Sequence, residues 1–285
     1  MSVEAFFLPV AGGQRFCLYH PAVRTPGTVA RGQVVYVHPF AEEMNKSRRM
    51  AALQARALAQ AGFDVLQIDL LGCGDSSGNF GDATWSAWVR DVTDACDWLR
   101  KRTDGTTLQI PRPPLWLWGL RAGCLLAAQA AQMIEEPCNF LFWAPTPAGK
   151  PLLQQFLRLK AAADLASGNA KGVMEGLRAD LAQDRPVEIA GYLLAPSLAN
   201  GLEQANLKPP ARALAGRVEW IELSTRPDSG LTPVAIKAIA DWQHAGYAIR
   251  SHLVNGPSFW QTSEIEDAPA LISSTNAALM EPGRP

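Results

Sequence analysis

The 285-residue chain has no run of apolar residues approaching the roughly 18 that a membrane-spanning helix requires. A helical span is therefore not expected. Cysteine is scarce and unpatterned: Cys17, Cys73, Cys96, Cys124 and Cys138 are odd in number and form no C-x-x-C pair. That excludes a disulfide framework or a structural zinc site and predicts reduced, mostly buried thiols, with no metal and no cofactor expected. An excess of either charge is also missing. Lys and Arg total 26 against 27 Asp and Glu, so neither nucleic acid nor an anionic membrane finds an electrostatic handle. The opening MSVEAFFLPV lacks a basic n-region and reads as a first strand, not a signal peptide; the expectation is a cytoplasmic protein. Repeats and low-complexity tracts are absent, and only EPGRP reads as a tail.

The sequence does contain a regular alternation. Residues 4–10 and 14–22 read as a hairpin closed by Ala11-Gly12-Gly13. VVYVHP (34–39) is a continuous apolar run of the kind buried on both faces of a sheet. Met50, Leu53, Ala57, Leu58 and Ala61 then fall on one helical face. Further strands are expected at 63–71, 114–120, 139–145, 217–224 and 248–255, with helices over 84–102 and after Ala122. This order implies a mostly parallel central sheet with helices on both faces. Between 146 and 216 the alternation stops, and helical, Ala- and Leu-rich segments without a buried strand are expected. The division that follows is a core of 1–145 and 217–285 with a helical cap or lid insertion at 146–216.

The sharpest local feature is LWLWGLRAGCLLA, a buried strand passing through Gly119-Leu120-Arg121-Ala122-Gly123 into a helix. In the α/β-hydrolase fold a G-x-S-x-G at this junction forms the nucleophile elbow. Both glycines are present, but the middle residue is Arg121, whose guanidinium stays protonated and cannot attack an acyl group. Neighbouring motifs agree with the placement. His38-Pro39-Phe40 falls at the oxyanion loop, IDLLGCGDSSG (68–78) at the turn after the next strand, and Asp228 where the triad acid lies. The histidine loop, expected after the last strand, reads Val254-Asn255-Gly256-Pro257-Ser258-Phe259-Trp260, and no histidine follows His252. Arg121, Asp228, Ser258 and Phe259 thus stand at the triad-equivalent positions. Asp228 is left with no imidazole to orient.

HPFAEEMNKSRRMAALQARALAQAGFDVLQIDLLGCGDSSGNFGDATWSAW (38–88), together with GLRAG, QQFLRLKAAADL (154–165), GYLLAP (191–196) and GPSFWQTSEI (256–265), resembles the exosortase A system-associated hydrolase 2 family over nearly the whole chain. The resemblance implies a bacterial α/β-hydrolase-superfamily member in a PEP-CTERM sorting and exopolysaccharide gene context, beside acyl ligases and acyltransferases.

The residues leave several readings open. Arg121, at a helix N-terminus, suits either an anion anchor or a structural pair with Glu42, Glu43, Asp75 or Asp228. His38 is either a base or an organiser of its loop, and His252 a satisfied sheet residue; His20 and His244 look peripheral. Cys124, in the first turn after the elbow, is a nucleophile or packing. Glu42 and Glu43, or Glu264 and Glu266, could do acid–base work or be solvated. Trp260, Phe259 and Trp143 line an acyl slot or belong to the core. Three functions follow: an ester or thioester hydrolase using water activated by a carboxylate or His38; a non-catalytic, pseudoenzyme-like binder of a small acyl or anionic ligand; or a partner of an acyl carrier protein or a homologous hydrolase.

Overall fold

The computed structural model describes residues 3–25, 28–103, 112–166, 172–211, 216–226 and 229–281. Its elements run, in chain order, β1 (Glu4–Val10), β2 (Gly13–His20), β3 (Gly32–Val37), α1 (Glu42–Gln60), β4 (Phe63–Ile68), α2 (Trp85–Thr103), β5 (Leu115–Leu120), α3 (Ala122–Ala130) and β6 (Cys138–Trp143). Then follow α4 (Lys150–Ala166), α5 (Val173–Ala182), β7 (Val187–Ile189), β8 (Tyr192–Leu194), α6 (Pro196–Gln204), β9 (Arg217–Ser224), α7 (Pro233–His244), β10 (Ala248–Asn255) and α8 (Pro269–Met280).

Eight strands form one sheet in the order β1-β2-β4-β3-β5-β6-β9-β10. The β1–β2 hairpin joins β4 antiparallel, and the pairs from β4 to β10 are parallel. Parallel neighbours need helical crossovers, which bury the sheet on both faces. β3 and β5 are accordingly buried at every position. Trp118, Trp143 and Trp220 fill the central strands, and Trp143 Nε1 donates to Thr275 Oγ1 at 2.9 Å, tying β6 to α8. This is an α/β-hydrolase fold, a mixed sheet flanked by helices.

Two expectations need correction. The buried face of α1 includes Ala51, Gln54, Ala55 and Leu58 beside Met50, whereas Leu53 and Ala57 are only half-buried. Gln54 is tolerated inside because its Nε2 donates to Asn276 Oδ1 at 2.8 Å, so polarity there misled the pattern. The stretch between β6 and β9 also contains strand: β7 and β8 form a small antiparallel hairpin with Ile189 and Leu194 fully buried. Three-residue strands are too short to carry a readable alternation. Among the described residues no helix is long and apolar enough to cross a membrane.

Candidate functional site

The site is built where β5 meets α3. Arg121, between them, has φ 55° and ψ −115°, a conformation that costs a non-glycine residue about 1–3 kcal/mol. Its surroundings hold it there. The Arg121 N–H donates to Trp143 O at 3.1 Å, and its carbonyl accepts from Cys124 N at 3.0 Å. A Cβ on Gly119 would lie 2.5 Å from Cys124 N, and one on Gly123 only 2.1 Å from Val37 O. The two glycines therefore let α3 seat directly against β5 and the end of β3.

The Arg121 side chain is enclosed, 15% exposed, against Glu43 at 6%. Its Nε and Nη2 donate to Glu43 Oε1 at 3.3 and 3.2 Å, and Nη2 also donates to Gln155 Oε1 at 3.0 Å. The guanidinium carbon sits 5.6 Å from the Trp260 ring centroid, within cation–π range. Two further carboxylates feel this charge. Burial pushes Glu43 above its ordinary pKa while Arg121 pulls it back, and burial raises Glu42 and Glu222 in the same way against the same cation. Glu222 accepts from Trp220 Nε1 at 2.9 Å. The second oxygens of Glu42 and Glu43 and the indole Nε1 of Trp260 have no hydrogen-bond partner among the described residues.

Little space remains here. A cavity of about 10 Å³ lies among Phe40, Glu42, Glu43, Leu152, Gln155 and Phe156. That is at the lower bound for one water. Above it Phe40 packs edge-on against Phe156, Phe80 and Trp88 at 5.1, 5.6 and 5.8 Å between centroids. Phe156 in turn meets Tyr192, whose hydroxyl accepts from Asn45 Nδ2 at 3.1 Å.

The other candidates are distributed as follows. His38 is buried, with Nδ1 2.7 Å from Pro39 O and Nε2 accepting from Leu70 N at 3.3 Å. Both ring nitrogens are engaged, burial lowers its pKa, and the neutral imidazole organises the loops after β3 and β4. Cys124 is buried, its thiol donating to Gly119 O at 3.2 Å, and burial raises its pKa well above the ordinary value, the reverse of what a nucleophile needs. Ser258 is exposed, while Phe259 is buried against Trp143 and Trp260. Asp75 and the pair Glu264 and Glu266 are exposed; Asp75 contributes its N–H to Asp69 Oδ2, not its carboxylate to Arg121. Asp228 lies outside the described residues. His252 meets Glu219 Oε2 at 2.8 Å within the sheet. His244 is exposed, but His20 is not peripheral: it is buried with Nε2 2.9 Å from Gln67 Oε1.

Reading by motif missed Gln155 and Glu222. Gln155 lies on α4, far along the chain in a stretch without catalytic motifs. Glu222 alternates within a buried strand, where an isolated acid was the only available signal.

The fold and this strand–turn–helix junction define the class, the α/β-hydrolases. Within it the chain belongs to the serine aminopeptidase S33 family (Hydrolase_4), whose model matches residues 28–202. Human protein ABHD12B is 31% identical over 126 residues, 44% of this chain and 30% of that protein, so the match spans under a third of that relative. Among solved structures, a thermostable carboxyl esterase from Bacillus coagulans in complex with glycerol superposes with a TM-score of 0.61 at 14% identity, covering 98% of this chain and 100% of that one. Ferulic-acid-bound Est1E from Butyrivibrio proteoclasticus gives 0.61 at 13%, covering 96% of each chain. A monoglyceride lipase from Saccharomyces cerevisiae with a substrate analogue gives 0.60 at 13%, covering 98% and 96%. At these identities the likeness is one of fold.

Proposed function

We propose that this protein is a non-hydrolytic member of its family, a pseudoenzyme in which Arg121 stands where the elbow nucleophile belongs. One observation carries the reading. The strained turn that would present a nucleophile presents a guanidinium, which is already bound to Glu43 and Gln155 with about 10 Å³ left beside it. A substrate carbonyl has neither a nucleophile to meet nor room to arrive. The absence of any histidine after His252 and the burial of Phe259 support it further, since no base is available to complete a triad. In this reading residues 146–216 act as a cap whose helix α4 supplies Gln155 as part of the closure.

The filled site favours a partner role over that of an anion anchor, because an incoming anion would have to displace Glu43. With the resemblance to the exosortase A system-associated hydrolase 2 family, the role we propose is that of a cytoplasmic partner in PEP-CTERM- and exopolysaccharide-linked acyl metabolism. Its partner would be an acyl carrier protein or a homologous hydrolase. Purified protein should neither react with a fluorophosphonate probe nor turn over p-nitrophenyl butyrate above buffer. It should co-purify with its neighbouring acyl-transfer gene products. Turnover that disappears in Glu43→Gln or His38→Ala would overturn the pseudoenzyme reading; failure to co-purify would overturn the partner role alone.

A further inference from the structure

One cavity of this molecule stands apart from the elbow. It lies on the α1 face of the sheet, between that helix and the β2 strand, and measures about 240 Å³. Its origin is in the sequence. β2 presents Phe16 and Leu18 to this face, and both stay half-buried because α1 answers them with the small Ala51 and Ala52. Tyr36 and Gln67 lie on its sheet side, and Arg48, its side chain 44% exposed, marks the mouth.

The hydrogen-bonding capacity left over in this cavity is mostly donating. His38 has both nitrogens engaged. Asp69 holds Arg48 Nη2 at 3.1 Å and the Asp75 N–H at 3.3 Å. Gln67 Oε1 is taken by His20. What remains is the Gln67 amide N–H₂, the unused N–H groups of Arg48, the hydroxyl of Tyr36 and, as an acceptor, Asp69 Oδ1. Tyr36 is only 4% exposed, and its hydroxyl has no hydrogen-bond partner among the described residues. Tyr36 lines the cavity, where a ligand or water can meet its hydroxyl. The free groups are mainly donors, so the missing partner is an acceptor. Charge decides which acceptor. Arg48 is already paired with Asp69, leaving no net cation to compensate an ionised ligand, and burying an unpaired carboxylate is strongly unfavourable.

We infer that this cavity binds a compact, neutral carbonyl compound, with its apolar body between Phe16, Leu18 and the α1 alanines and its carbonyl oxygen accepting from Tyr36 and Gln67. An apolar cavity of about 150 Å³ admits benzene, so 240 Å³ suits a body of about ten non-hydrogen atoms. The site is separate from the elbow and does not depend on whether the elbow is active.

Isothermal titration with propiophenone tests it, with phenylacetate and butylbenzene as size-matched carboxylate and hydrocarbon controls. Propiophenone should bind at one site. Tyr36→Phe, which removes only the hydroxyl, should weaken it about tenfold. Ala52→Phe, which fills the cavity, should abolish binding; Leu18→Trp does the same from the opposite wall should Ala52→Phe fail to fold. The Arg121→Met/Glu43→Leu double variant should bind as the native protein does, which separates binding in this cavity from the state of the elbow. No saturable binding of propiophenone, binding that survives both filling variants, or equal or tighter binding of either control would overturn the inference.

Discussion

Arg121 and Glu43 reach each other from two strained turns at the same edge of the sheet. Arg121 stands at φ 55° between β5 and α3, and Glu43 lies two residues past Ala41, at φ 47°, where α1 begins. Both side chains enter the same enclosed space, so the guanidinium closes on Glu43 Oε1 at 3.2 Å. The energetic consequence is asymmetric, and it can be measured.

Arg121→Met leaves Glu43 buried without its cation and should destabilise the fold by about 3 kcal/mol, read as a lowered urea midpoint at unchanged slope. The double variant Arg121→Met/Glu43→Leu should recover most of that loss, because two apolar side chains need no partner. A double variant as unstable as Arg121→Met would show that the site is held by other contacts.

Arg121→Ser restores an elbow hydroxyl but supplies no base. It should remain unreactive towards fluorophosphonate and inert towards p-nitrophenyl butyrate, since Phe259 rather than an imidazole is buried on the far side. Rapid labelling of this variant would reveal a base elsewhere in the site.

Glu43, Glu42 and Glu222 are all raised by burial, so the folded state holds their protons more tightly than the unfolded chain does. Their contribution is complete below the ordinary carboxylate range and is lost as pH rises through the raised values. Glu219 runs the other way. Although burial opposes it, its bonds to His252, Arg250 and Arg217 hold it below the usual value, so its contribution is lost only in acid. Thermal unfolding followed from pH 5 to 8, the interval above the ordinary carboxylate values of about 4, should show a declining component that Glu43→Gln diminishes. An identical profile in that variant would place the titration elsewhere.

Gly123→Ala should be among the most damaging single changes, costing about 3 kcal/mol or more, because its methyl would lie 2.1 Å from the Val37 carbonyl. Gly176→Ala, inside α5 with nothing within 4 Å of the added Cβ, should instead stabilise by up to about 1 kcal/mol. Paired unfolding curves check both signs.

All five cysteines are free and buried, and burial raises each thiol pKa. Ellman's reagent should titrate none in the native protein and five after unfolding. Prompt reaction at Cys124 would reopen a nucleophilic role there.

Much of this architecture was legible in the residues. Continuous apolar runs such as VVYV and LWLW can only be strands covered on both faces, and Gly119 and Gly123 around Arg121 mark a junction where chain must approach chain. What lay beyond reading was whatever depends on side chains brought together from afar. Four acids were open as partners of Arg121, and Glu43 became the partner because the turn at Ala41 aims it inward while Asp75 faces solvent. Gln155 arrives from α4 over 30 residues away, with no local pattern to announce it. The α1 cavity has the same character. Ala51 and Ala52 look like ordinary helix formers until β2 is laid opposite them, and only then does their small size become an empty volume. The order of residues along the chain was enough for the strands of the main sheet and for Arg121 between β5 and α3, because those follow from local periodicity and close backbone approach. That Arg121 is held by Glu43 and Gln155, and that a cavity opens between α1 and β2, emerged only from the folded molecule, because packing is settled between segments that share no local sequence.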